Sequence, residues 1–202
     1  MINLKSIYNS KISLYSQSYY QYLCELMKNI NHSDVELFIL EILKARKDGN
    51  NIFFIGNGGS AATASHFAND LAMGTKSFKK PFKAISLTDN QSITTALGND
   101  FGFKEVFVKQ LECYSSPGDV VVAISASGNS PNLLEAIDFA KKNGLITISI
   151  TGFDGGHLKK ICLKNIHIDT DIGEYAPVED IHMTIAGLTG SYLINYVKNE
   201  SL

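Results

Sequence analysis

The chain has 202 residues, with 18 Lys and Arg against 20 Asp and Glu, for a formal net charge of −2. That length suits one domain with a core of its own. The balanced charge argues against a dedicated nucleic-acid binder, which carries a basic face, and 45% hydrophobic residues argue against a disordered chain.

Cys24, Cys113 and Cys162 are scattered, without CxxC spacing. They read as small buried hydrophobes in a reducing compartment, not as a zinc ribbon or a disulfide framework. Met1–Lys5 shows no basic segment leading into an apolar stretch, and no apolar run approaches the ~20 residues that span a bilayer. The expectation is a cytoplasmic protein with no membrane or nucleic-acid partner.

The first fifty residues read as helical. Ser33 and Glu36 fit a capping box, Val35, Phe38, Ile39, Ile42 and Leu43 repeat with helical period, and Gly49 stands where a C-terminal cap belongs. Five short β-rich runs follow, at Asn51–Ile55, Ala84–Leu87, Val120–Ile124, Ile146–Ile150 and Asn165–Ile168. They read mostly as continuous apolar runs, as expected of strands buried on both faces of a parallel sheet. Helical stretches fall at 59–73, 90–97, 103–113, 131–143 and 155–162, and a last helix at 177–198. The expected architecture is α/β: a three-layer α-β-α sandwich around a five-stranded parallel sheet, with N-terminal helices added.

Such sheets bind ligands beyond the carboxyl ends of their strands, so chemistry is sought just after each run. After Ile55 comes Gly56-Asn57-Gly58-Gly59-Ser60-Ala61. It matches G-x-G-x-x-A, a dinucleotide fingerprint when an acidic residue ends the next strand about 20 residues on. The strand-ending acid here, Asp89, comes later than that spacing. After Ile124 comes Ser125-Ala126-Ser127-Gly128-Asn129-Ser130-Pro131-Asn132. Ser130 suits an N-cap and Pro131 the first helical position. Hydroxyls and backbone N–H groups at a helix start suit a phosphate. No Lys accompanies them, so the pattern points to a phosphate monoester, not a nucleoside triphosphate.

His66 and Asp70 are spaced to share one helix face, as an ion pair or as two metal ligands. Glu179 reads as a first-turn acid or an active-site carboxylate. Gly187 and Gly190 inside the last helix mark a close approach or open room for a ligand. His32, His157 and His167 read as surface or loop residues, and His182 as a packing residue.

Taken together, Gly56–Ala61, Ser125–Asn132, the stretch His66–Leu71, Gly98–Phe103 and Val178–His182 resemble the sugar isomerase (SIS) fold family and, within it, the phosphoheptose isomerases. The resemblance implies a single SIS domain over 1–202, with a flavodoxin-like sheet and a 1–48 helical extension that builds a homotetramer with active sites between subunits. It implies an aldose–ketose isomerase that interconverts sedoheptulose 7-phosphate and D-glycero-D-manno-heptose 7-phosphate through an enediolate, for surface polysaccharide. By the same resemblance, Asn57, Gly58, Gly59, Ser60, Asn99 and Asp100 contact the sugar. Ser125, Ala126, Ser127 and Ser130 hold the phosphate. Asp70 is the base with Glu179 as its partner, both touching substrate. His66, Asp70 and Glu179 hold a divalent metal, expected to be zinc. The family's last-helix imidazole falls at position 187, where this chain has Gly187. That departure keeps open a second expectation: a non-catalytic phosphosugar-binding or regulatory SIS protein, or an isomerase of another sugar phosphate.

Overall fold

A computed structural model describes residues 3–200. Helices α1 (Ile12–Lys28) and α2 (His32–Asp48) lead into strand β1 (Asn51–Gly56). The order continues through α3 (Gly59–Asn69), β2 (Lys83–Ser86), α4 (Gln91–Asp100), α5 (Val108–Tyr114) and β3 (Val120–Ser125). It ends with α6 (Pro131–Lys142), β4 (Ile146–Thr151), α7 (Leu158–Ile161), β5 (Lys164–His167) and α8 (Tyr175–Glu200). All strand pairs are parallel, in the order β2-β1-β3-β4-β5. The expected α/β sandwich is present.

Both sheet faces are buried. Ile52 and Phe54 of β1 join Phe38, Ile42, Phe67, Ile181 and Leu193 under α2, α3 and α8. Phe53 and Ile55, pointing the other way, join Leu111, Leu133, Ile137 and Leu158 under α5, α6 and α7. Phe67 stacks on Phe54 at a centroid distance of 5.0 Å and meets Phe38 edge-on at 5.9 Å. This fixes the helix that follows the glycine-rich turn. Tyr22 and Leu26 anchor α1 to the first layer. The Tyr22 phenol donates to the buried Glu174 carboxylate just ahead of α8 (2.5 Å). Burial and that carboxylate together raise its pKa.

Some expectations change in detail. The cap of α2 is Asn31, whose side chain accepts the Ser33 N–H (3.0 Å). With helix starting at His32, Ser33 lies inside the first turn and no Ser33–Glu36 capping box forms. The 59–73 helix is α-helical to Asn69 and then widens to a π-turn at Asp70–Gly74. The 103–113 stretch is a short 3₁₀ turn, Phe103–Glu105, followed by α5. Cys24 and Cys113 are exposed and only Cys162 is substantially covered, which raises its thiol pKa to about 11. His167 is half-buried, with Nδ1 3.1 Å from the Thr151 hydroxyl, and burial lowers its pKa. No helix among the described residues is long and apolar enough to cross a membrane.

Candidate functional site

In the order β2-β1-β3-β4-β5 the chain changes direction between β1 and β3, so a crevice opens there at the carboxyl edge. The two loops singled out in the sequence border it. Gly58 has φ 55° and ψ −124°, a conformation that side chains resist, and it lets the chain turn from β1 straight into α3. Ser60 is buried beneath the turn, its carbonyl against Gly56.

The first helical residue, Gly59, does a different job. A Cβ there would stand 2.6 Å from Glu179 Oε1. The carboxylate of α8 is therefore seated on the N-terminal turn of α3, where the helix dipole favours negative charge. That turn already faces an anion from its own chain, so the first loop is not the open phosphate site.

The second loop is open. The Ser125 and Ser127 hydroxyls accept the backbone N–H groups of Gly128 (3.0 Å) and Asn129 (3.3 Å), which curls the loop over the start of α6. Ala126 is buried, its carbonyl accepting the Gly152 N–H (3.1 Å). Asn129 accepts the His157 N–H (3.0 Å), and Gly128 packs against Gly155, so the loop after β4 backs this one. Ser130 occupies the N-cap position with Pro131 next, but its side chain makes no cap hydrogen bond. Its hydroxyl and the Asn132 N–H remain for a ligand, since Pro131 has no N–H and the Leu133 N–H returns to the Ser130 carbonyl (3.0 Å). Across the crevice, Asn57 and Asn132 pair through both ends of their amides, at 2.9 Å in each direction.

His66 and Asp70 lie elsewhere. Their side chains meet, Nε2 to Oδ2 at 3.2 Å. A Cβ on Gly190 would stand 2.9 Å from Asp70 Oδ2, so α8 crosses α3 closely at that point. Gly59 touches Glu179, while Asp70 lies about three turns, roughly 16 Å, farther down α3. One chain therefore does not bring the two carboxylates together. Asn99 donates to Asp100 (2.8 Å) at the exposed end of α4, and neither side chain hydrogen-bonds to either loop. A Cβ on Gly187 would meet nothing within 4 Å.

A catalytic zinc takes three protein ligands and an open position. His66 and Asp70 supply two donors, Glu179 stands at the other end of the helix, and Gly187 supplies none. Among the described residues no three His, Cys, Asp or Glu side chains gather for a metal. The donors of a single chain thus do not fit the expected His66–Asp70–Glu179 centre.

One feature was not foreseen. Asn132 was read only as part of the serine loop. Its signal was its place, a buried amide directly after the helix-starting Pro131. His182 is fully buried, with neither ring nitrogen hydrogen-bonded in good geometry to any described residue, although the Thr151 backbone lies beside it. Burial lowers its pKa to about 4, so it is a neutral packing residue. A cleft of about 870 Å³ between α1, α2 and the β5 edge is lined by Glu25, Asp34, Lys159, His167 and Asp169, away from both loops.

The SIS domain family matches residues 18–152, a segment that holds both loops. A phosphoheptose isomerase of Nitratidesulfovibrio vulgaris is 41% identical over 153 residues, covering 74% of this chain and 73% of that one. The chain belongs to the phosphoheptose isomerase family. A probable phosphoheptose isomerase of Thermoplasma acidophilum is 40% identical over 157 residues, covering 78% and 85% of the two chains. The solved phosphoheptose isomerase of Neisseria gonorrhoeae superposes with a TM-score of 0.79 at 28% identity, covering 91% of this chain and 96% of that one. In this member of the family, α8 with Glu179 lies outside the 18–152 match.

Proposed function

We infer that this protein is an isomerase that interconverts sedoheptulose 7-phosphate and D-glycero-D-manno-heptose 7-phosphate. The observation that carries this reading is the family match over both loops, which the fold sets face to face at the switch point. The phosphate is held by Ser127, Ser130 and the Asn132 N–H at the start of α6, with Ser125 and Ala126 shaping the loop. The sugar runs across the crevice toward Asn57, Gly58 and Gly59, where Glu179 is seated. A carboxylate removes the C1 proton of the ketose, giving an enediolate; a proton passes from O1 to O2, and the proton returned to C2 completes the aldose. Anchoring the remote phosphate supplies the orientation that proton transfer needs.

Asp70 is the proposed base, and its distance from Glu179 sets a condition. A second copy must bring its own His66 and Asp70 to the crevice. The exposed Tyr8, Ile12 and Tyr20 at the N-terminal end, with Leu188 and Tyr192 of α8, supply apolar surface for such an assembly, proposed as a homotetramer. Asn99 and Asp100 reach substrate only through the same assembly. A bound zinc likewise requires donors from two chains, and metal analysis of the assembled protein tests it: no bound divalent ion removes zinc from the account. The product is proposed to enter surface polysaccharide synthesis, in the cytoplasm. The test of the function is NMR of sedoheptulose 7-phosphate incubated with the protein. Appearance of the aldoheptose phosphate supports the reading, and an unchanged ketose contradicts it.

A further inference from the structure

Asn57 opens the turn after β1, and Asn132 is the second residue of α6. Each donates Nδ2–H to the other's Oδ1, at 2.9 Å both ways, closing a ring of two hydrogen bonds. Asn132 is 2% exposed and Asn57 is half-buried, so water competes poorly for the pair. The two hydrogen bonds fix the orientation of the Asn57 amide and leave it one N–H and one lone pair, so it does not swing freely toward a ligand. The pair instead joins the glycine-rich turn to the helix start that receives the phosphate.

The consequence runs through neighbouring residues. The phosphate site begins α6, and Asn132 is fixed to that helix. Asn57 is two residues from Gly59, the seat of the Glu179 carboxylate. The amide pair thus sets how far the phosphate anchor lies from the reacting end of the sugar. We propose that Asn132 is a positioning residue for the isomerisation, acting through Asn57 to hold the two loops at a fixed offset. The proposal rests on the isomerase reading above.

Asn132→Asp tests it with little change in volume. As a carboxylate it still accepts from Asn57 Nδ2, but its second oxygen faces Asn57 Oδ1, acceptor against acceptor. Once protonated, the carboxyl donates there and the ring closes again. At pH 8, kcat for sedoheptulose 7-phosphate is expected to fall about 10- to 100-fold through misplacement. Affinity for inorganic phosphate, measured by calorimetry, should fall much less than kcat, by the few-fold that a new carboxylate near the helix start imposes on an anion, since the serine loop keeps its own hydrogen bonds. The ratio of variant to wild-type kcat should then rise as pH falls from 8 toward 5.

An unchanged kcat at pH 8 overturns the proposal. So does a loss with no recovery in acid, or phosphate affinity falling in step with kcat, which is what a merely structural residue would give. These outcomes presuppose an active wild type, whereas wild-type protein that turns over no sugar phosphate defeats the isomerase reading itself. If the variant does not fold, NMR of the wild-type side-chain amides decides. Slowed exchange of the Asn57 and Asn132 amide protons supports the pair, and exchange at the rate of free amides overturns it.

Discussion

At the scale of single residues, the site depends on absent side chains as much as on present ones. Gly59 has no Cβ and Glu179 fills the space. Gly59→Ala needs no unusual backbone conformation and meets only the movable end of a carboxylate. It should leave the melting temperature nearly unchanged while displacing Glu179, so kcat should drop at least about tenfold, as loss of a positioned acid–base group does. Full activity in Gly59→Ala would remove Glu179 from the reaction. His182 offers a separate check on the packing. Its pKa is lowered on folding from the ordinary value near 6.5 to about 4. The unfolded chain therefore binds the extra proton first as pH falls. Stability from this group is present above about pH 6.5 and is lost on going down toward pH 4, by at most about 1.4 kcal/mol per pH unit. In His182→Leu that slope should be shallower by up to this amount in denaturant titrations, and an unchanged slope would show that the imidazole is not buried neutral. Glycines and hydroxyls clustered after apolar runs made both loops legible. The Gly59–Glu179 contact was not legible, because it joins residues brought together only when α8 returns along α3.

At the scale of elements, short range and long range divide cleanly. Most strands could be read from their β-branched and apolar residues, and the structure starts β2 and β5 one residue earlier than the runs suggested. Helix starts were less secure where two capping residues competed. Asn31, two residues before Ser33, takes the cap of α2 because its side chain reaches the Ser33 N–H. Asn31→Ala should cost about 1 kcal/mol of stability with isomerase activity kept, as measured by thermal unfolding alongside turnover. No loss would mean that the cap contributes nothing. The π-turn at Asp70–Gly74 was invisible to periodicity. It begins at the residue that packs against Gly190, a contact between separate helices. Likewise α7 is shorter than the 155–162 stretch, since Gly155 and Gly156 hold positive φ and keep the chain out of helix until Leu158.

At the scale of the whole molecule, fold and family agree, while the proposed catalytic set is divided along one helix. His66 and Asp70 form one group and Glu179 with the two loops another, about three turns of α3 apart. Composition could not show this, since a helix that leaves the carboxyl edge of a sheet carries its later residues away from that edge. If two chains build each site, then Asp70→Asn and Glu179→Gln, each inactive alone, should regain activity when unfolded together and reassembled. Mixed assemblies contain sites with both carboxylates intact, and size-exclusion chromatography should show an oligomer. A monomer, or a mixture as inactive as its parts, would argue that each chain acts with its own residues alone. The central claim is proton transfer between C1 and C2 of a phosphorylated seven-carbon ketose, and its most direct measurement uses sedoheptulose 7-phosphate deuterated at C1. Formation of the aldoheptose 7-phosphate with a primary isotope effect, and with the C1 label lost to water or carried to C2, is the predicted result. Recovery of the ketose with its label intact and no aldose formed would contradict it.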